Sequence, residues 1–279
     1  MDSKSPTNWC DIPMELRAEC IKWLDFKSRM MLRATSHTEK SLVESVPKYH
    51  FEFVEISWGS DCYLYMGSLP ENERGEEMMC MNRNECYQSM IQVLNYGKAH
   101  CLSIDMKFER DDDADQFIAD ISNGAPFRFH KFKLFTVNPK VAQFLLRNSK
   151  FEELKLGRLS DCDGQFLLQD FIDIPAVVNN KSLTMLNKQT PDDVFMLIEK
   201  WIEKDVEAGC FLQCSVDANH PLLYEIGEKF KDRIIEEWMD DEPSGWFRIR
   251  TDNESKRISF NFYLVIESEW QITCRMIEA

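Results

Sequence analysis

Cys210 and Cys214 flank Phe211-Leu212-Gln213, and His220 follows, a set that could ligate zinc through thiolates and an imidazole. A structural zinc site needs four such ligands, and no second Cys/His pair follows. The segment alternates in the manner of a strand, so both thiols read as core side chains. His100-Cys101 could form a thiolate–imidazole pair, but neighbours along a strand point to opposite faces. Asp111-Asp112-Asp113 with Asp115 has the carboxylate density of a calcium loop and lacks its glycine and closing glutamate. These acids read as solvated residues that complement the start of a helix. No glycine-rich phosphate loop, His-Glu-x-x-His pair or Gly-x-Ser-x-Gly elbow occurs, and only 10 glycines are available to cradle phosphate. The residues thus point away from an enzyme: no catalytic residue, no metal and no cofactor is expected.

The charge pattern offers binding chemistry instead. The chain has 279 residues, with 33 Lys+Arg against 48 Asp+Glu, a net of −15. Residues 127–158 run against that excess, with eight Lys+Arg and only Glu152 and Glu153. If Lys131, Lys133, Lys155 and Arg158 project from neighbouring strands, they form a positive stripe able to meet an acidic partner. The alternative is that they balance acids in adjacent segments. The acidic total argues against a nucleic-acid partner and against docking on anionic membrane lipid. Apolar runs such as Phe144–Leu146 and Phe166–Leu168 fall far short of the roughly 20 residues that a spanning helix needs. No apolar segment of a secretory signal follows Met1–Asn8, and the 10 cysteines are scattered through a chain large enough to bury a core. Free thiols and an intracellular location, cytoplasmic or nuclear, are expected, which makes the sequons at Asn180 and Asn253 chance matches.

The elements that would position these residues divide near residue 48. Residues 1–48 hold eight Lys+Arg and seven Asp+Glu, whereas 49–279 carry a net of −16. Pro47 closes the first piece, and alternation over Tyr49–Ile56 predicts a strand. Pro13 suits the first turn of a helix in which Leu16, Cys20, Trp23 and Leu24, widened by Met14, Ala18 and Ile21, form one broad apolar face. Ser28–Thr35 predicts a second short helix. Ser36-His37-Thr38-Glu39 fits a capping box for a third, with Leu42, Val43 and Val46 inward.

The order Ile12-Pro13-Met14-Glu15-Leu16, Ile21, Trp23-Leu24-Asp25-Phe26-Lys27-Ser28-Arg29 and Leu32-Arg33-Ala34-Thr35-Ser36 resembles the F-box. The resemblance covers residues 9–48. It is similar in particular to the nematode class, in which an aromatic such as Trp9 precedes the Leu-Pro-like pair and Phe-x-Ser-Arg follows the first helix. That implies docking on a Skp-family adaptor and, through it, on a cullin-RING scaffold. By the same analogy Ile12, Pro13, Leu16, Ile21, Leu24 and Leu32 are adaptor-facing or bundle-core positions, two roles the sequence does not separate.

Beyond residue 98, strand-like segments begin at Leu102, Phe132, Leu154, Leu183 and Leu212, in steps of 30, 22, 29 and 29 residues. Helical stretches fall between them, around Ala114–Ile121, Val141–Leu146, Phe166–Phe171 and Pro191–Ala208. The last has Thr190 as cap, Pro191 in its first turn, an inward stripe of Val194, Leu197, Ile198, Trp201 and Ile202, and Gly209 to end it. One strand and one helix per unit predicts an irregular leucine-rich-repeat-like solenoid, and with the three N-terminal helices that resemble an F-box the fold class expected is mixed α/β. Alternation at Phe247–Arg250, Ile258–Ile266 and Trp270–Met276 predicts an antiparallel meander that closes it.

Leu183-Thr184-Met185-Leu186, Trp201-Ile202 and Phe247-Arg248-Ile249-Arg250-Thr251-Asp252, in this order, resemble the F-box-associated domain of nematode proteins. The resemblance implies that residues 49–279 recruit a protein substrate, with the chain acting as substrate-recognition subunit of an SCF-type cullin-RING ubiquitin ligase. The alternative is an interaction scaffold that uses an F-box-like module without directing ubiquitination.

Overall fold

The computed structural model describes residues 8–58, 62–67, 77–78, 82–108, 110–136, 138–157, 168–217, 221–239, 244–266 and 269–279. The first unit consists of α1 (Met14–Lys22), α2 (Phe26–Arg33) and α3 (His37–Ser45). Pro13 is the residue before α1 and not its first turn. Asp25 caps α2 by accepting from the Ser28 amide at 2.7 Å, and Ser36 caps α3 by accepting from the Glu39 amide at 3.1 Å. The capping box expected at Ser36 is only half formed. The Glu39 carboxylate turns to Arg17 at 2.8 Å instead, an ion pair that ties α3 to α1.

The larger part contains β1 (Tyr49–Trp58), β2 (Tyr63–Gly67), β3 (Glu77–Met78), α4 (Arg83–Tyr96), β4 (Gly97–Met106) and α5 (Asp111–Ile121). It continues with β5 (Phe127–Arg128), β6 (Lys131–Thr136), α6 (Pro139–Arg147), β7 (Ser149–Lys150), β8 (Glu153–Gly157), α7 (Pro175–Val178) and β9 (Ser182–Gln189). It ends with α8 (Pro191–Glu203), β10 (Phe211–Asp217), α9 (Leu222–Lys229), β11 (Ile234–Met239), β12 (Ser244–Arg250), β13 (Lys256–Ile266) and β14 (Glu269–Glu278).

Twelve of these strands form one sheet in the order β11-β12-β13-β14-β10-β9-β8-β6-β4-β1-β2-β3, while β5 and β7 form a small parallel pair. From β1 to β10 the central neighbours are parallel and follow chain order, as the strand spacing predicted. Antiparallel strands extend both sides, and β12–β14 supply the expected meander. A solenoid is not what forms; the large part is one wide mixed sheet. The connecting helices run from 4 residues in α7 to 14 in α4, and such unequal units cannot stack by a constant step.

Register places Val54, Leu102, Phe132, Leu154, Leu183, Leu212, Cys274, Phe260 and Phe247 in one row across the sheet, all buried. Onto this face press Val93 of α4, Phe117 of α5, Leu145 of α6 and Leu197 of α8, in one continuous core. The Trp201 indole N–H donates to the Val178 carbonyl at 2.8 Å and locks α8 to α7. Thr190 and Asp193 complete a reciprocal capping box, but α8 stops at Glu203, short of the expected Ala208. Gly209, at φ 99°, instead starts the approach to β10, its N–H donating to the Met276 carbonyl at 2.8 Å. Of the helix expected around Phe166–Phe171, the described part is a 3-10 turn at Leu168–Asp170.

Candidate functional site

The apolar stripe of α1 is split rather than buried as one face. Ile21 is fully enclosed with Leu42, Val43 and Val46, and Ala18, Leu24 and Leu32 pack against them. The other half faces outward: Met14 and Leu16 are 56% exposed and Trp23 is 88% exposed, joined by Met31 of α2 at 64%. Pro13 is also exposed and Ile12 half-buried. The structure thus sorts the six positions singled out for docking: Ile21 belongs to the bundle core, Leu24 and Leu32 to its edge, and Ile12, Pro13 and Leu16 to the outer side. Trp23 and Met31 join the outer side, a role hidden in the sequence because helical spacing makes an apolar residue look inward whether or not an inner partner exists. Exposed aromatic and aliphatic side chains on a short helix are the chemistry of protein docking.

Arg29, which is 7% exposed, ties the helices of this unit to one another and to the segment that enters β1. Its guanidinium donates to the carbonyls of Lys22 at 2.7 Å, Pro47 at 2.9 Å and Leu24 at 3.1 Å, and lies 5.2 Å from the Tyr49 ring centroid. Burial pushes its pKa down. Phe26 adds edge contacts to Phe51 and Tyr49 at 5.1 and 6.0 Å, and so belongs to the core of the larger part. Arg33 bonds the Tyr96 hydroxyl and pairs with Glu44 at 2.7 Å.

The opposite sheet face forms a second surface. One ladder row runs Tyr65, Glu55, Ser103, Lys133, Lys155, Thr184, Gln213, Thr273, Asn261, Trp246 and Trp238. At about 4.8 Å per strand it is roughly 45–50 Å long. Lys131, Lys133 and Lys155 do share a face on the adjacent strands β6 and β8. Lys131 pairs with Glu153 at 3.1 Å, Lys133 lies 6.0 Å from the Phe53 ring centroid, and Lys155 is exposed. Arg158 lies outside the described residues. Toward β2 the surface turns acidic: Tyr63 donates to Glu55 at 2.8 Å, and burial, with Glu55 second, pushes Asp105 up to about 6. Toward β11 it turns aromatic, with Arg248 at 5.0 Å from the Trp246 ring centroid and Trp238 partly exposed.

The remaining candidates are separated by the fold. Cys214 lies on the buried side of β10, where burial pushes its thiol up to about 12, and Cys274 beside it is raised as well. Cys210 is buried too, and His220 is outside the described residues. His100 stacks on His130 at 4.6 Å while Cys101 is buried, so the two neighbours do face apart. Asp111, Asp112 and Asp113 form the first turn of α5, with Asp113 paired to Arg110 at 2.8 Å and Asp115 to Lys140 at 3.3 Å. Among the described residues no group of three or more His, Cys, Asp or Glu is placed to hold a metal ion, and no helix is long and apolar enough to cross a membrane.

No curated protein matches the chain. Among solved structures, it is similar to an S-adenosylmethionine-dependent methyltransferase from Clostridium acetobutylicum ATCC 824, with 11% identity and a TM-score of 0.15 over 50% of this chain. The chain spans 62% of that protein's length, and so poor a superposition decides neither fold nor activity. Residues 9–51, by contrast, match the family model of the F-box domain, a stretch that takes in the three-helix unit with its outward apolar side.

Proposed function

We propose that this chain is a non-catalytic substrate-recognition subunit of an SCF-type cullin-RING ubiquitin ligase. The F-box match over residues 9–51 carries the proposal. F-box domains typically bind Skp-family adaptors, and the outward side chains Leu16 and Trp23, with Ile12 and Pro13 beside them, supply an apolar surface for one. The adaptor joins the cullin-RING scaffold, and residues 49–279, built on the wide mixed sheet, act as the F-box-associated part that holds a protein target. The long open row of the sheet is the surface for that target, with Lys131, Lys133 and Lys155 meeting acidic side chains and Trp246 and Trp238 meeting apolar ones. The mechanism is proximity: a lysine of the held target meets the charged conjugating enzyme at raised effective concentration.

Leu16→Asp and Trp23→Asp test the reading without touching the bundle core, because both side chains are exposed. Each should weaken recovery of a recombinant Skp-family adaptor by about 2 kcal/mol, some 30-fold. Equal recovery with both variants and the parent rejects the docking surface. A bound target whose lifetime in cells is the same with parent and Trp23→Asp protein favours the scaffold role instead.

A further inference from the structure

A cleft of about 260 Å³ opens where the F-box joins the first parallel strands. Its floor is apolar, made by Leu94 at the end of α4, Ala99 and Leu102 of β4 and Phe127 of β5, all buried. Three cations line it: Lys48, one residue ahead of β1, Lys98 of β4 and Arg128 of β5. None of its lining residues is acidic, in a chain with 48 Asp+Glu. No ion pair within the described residues occupies Lys48, Lys98 or Arg128, although Lys131, a short way along the chain from Arg128, is paired with Glu153. Burial first, and Lys98 second, push the Lys48 ammonium's pKa down. An anion held by these cations would oppose both effects by favouring the charged ammonium.

We propose that this cleft binds a small apolar molecule carrying a dianionic phosphate, with the phosphate held by Lys48, Lys98 and Arg128 and the apolar body on Leu94, Ala99, Leu102 and Phe127. The phosphate rather than a carboxylate matches three cations, since it carries nearly two charges at neutral pH and three acceptor oxygens. The volume suits one substituted ring, just below the roughly 300–1,000 Å³ of drug-sized ligand pockets. Such a ligand would bridge the segment leaving the F-box to β4 and β5.

Calorimetric titration of the full chain with phenyl phosphate, inorganic phosphate and phenol tests this. Phenyl phosphate should bind at one saturable site, at least about tenfold tighter than either half-probe, because charge and apolar contact act together. Lys48→Gln/Lys98→Gln/Arg128→Gln should lower that affinity at least about tenfold, and Lys181→Gln/Lys204→Gln/Lys231→Gln, all exposed and outside the cleft, should leave it unchanged. All six side chains are at the surface or partly exposed, and circular dichroism checks that both variants fold. Absence of saturable binding, equal affinity for phenyl phosphate and inorganic phosphate, or equal losses in the two variants would each overturn the proposal.

Discussion

Replacing Arg29 by Met should loosen the three-helix unit and its tie to β1 while leaving the sheet intact. Methionine keeps most of the apolar stem, so the change isolates the guanidinium. Three carbonyls, of Lys22, Leu24 and Pro47, then lose their donor at an almost buried site. Each lost bond costs about 1 kcal/mol, and the contact with the Tyr49 ring about 0.5–1 kcal/mol more. The total is about 3–4 kcal/mol, or roughly a hundred- to thousandfold in a local opening equilibrium. Hydrogen exchange of the Leu42 and Val43 amides in α3 should accelerate by that factor, while Phe260 and Cys274 in the distant meander should keep their protection. Arg29→Lys should fall between, because an ammonium lacks the planar fork that reaches three carbonyls at once. A change under about threefold at α3 in Arg29→Met would refute the claim that these contacts hold the unit together and to β1. An equal loss at Phe260 and Cys274 would show that the whole chain opens together.

Other expectations concern the sheet and its cover. Trp201→Phe removes the bond to Val178 and leaves a void, and should lower stability by about 2–3 kcal/mol in urea at unchanged slope. A loss below about 0.5 kcal/mol would mean that α8 does not depend on this indole. Asp105 is held up to about 6 against 3.8 for the free group, so between these values the folded chain binds more protons than the unfolded one. This group therefore favours folding most below pH 3.8 and loses that contribution as pH rises through about 6. Asp105→Asn should stabilise the chain at pH 7.5 and not at pH 3.5, and equal effects at both would contradict the sign. A Cβ at Gly245 would lie 2.5 Å from the Trp238 carbonyl, so Gly245→Val should detach β11 and speed proteolysis beside Trp238; unchanged cleavage would show that the strand yields instead.

How much of this was legible depends on whether the information was local. The F-box could be read because its residues follow a fixed order over one short stretch. The Thr190 cap of α8 and the alternation of β12–β14 were equally local. The helix α4 was missed although Cys86, Met90, Val93 and Leu94 have helical spacing, because Asn, Gln and Ser between them hide the stripe. Strand β11 was missed for a different reason: its residues are nearly all exposed, so it has no alternation to detect. The strand starts and their chain-order pairing were visible, but the unequal helices and the antiparallel strands added on both sides were not, and the solenoid expectation failed there. On the candidate surfaces, Lys131, Lys133 and Lys155 were legible from charge. Trp23 was read only as part of one broad apolar face, since only the packed bundle tells which half of an apolar stripe remains outside.

The place of β14 sets an order of assembly. This strand lies between β10 and β13 although it follows both in the chain. The parallel strands can pair one after another as they leave the ribosome, each beside its predecessor. The hairpins of β11, β12 and β13 cannot join them at that stage, because the intervening strand has yet to be made. Until then β10 presents an open edge along Phe211–Asp217, the kind of edge that recruits strands from other chains. Synthesis halted near Ile266 would therefore yield two separately folded pieces with an adhesive seam, and the arrival of Glu269–Glu278 is the event that makes them one sheet.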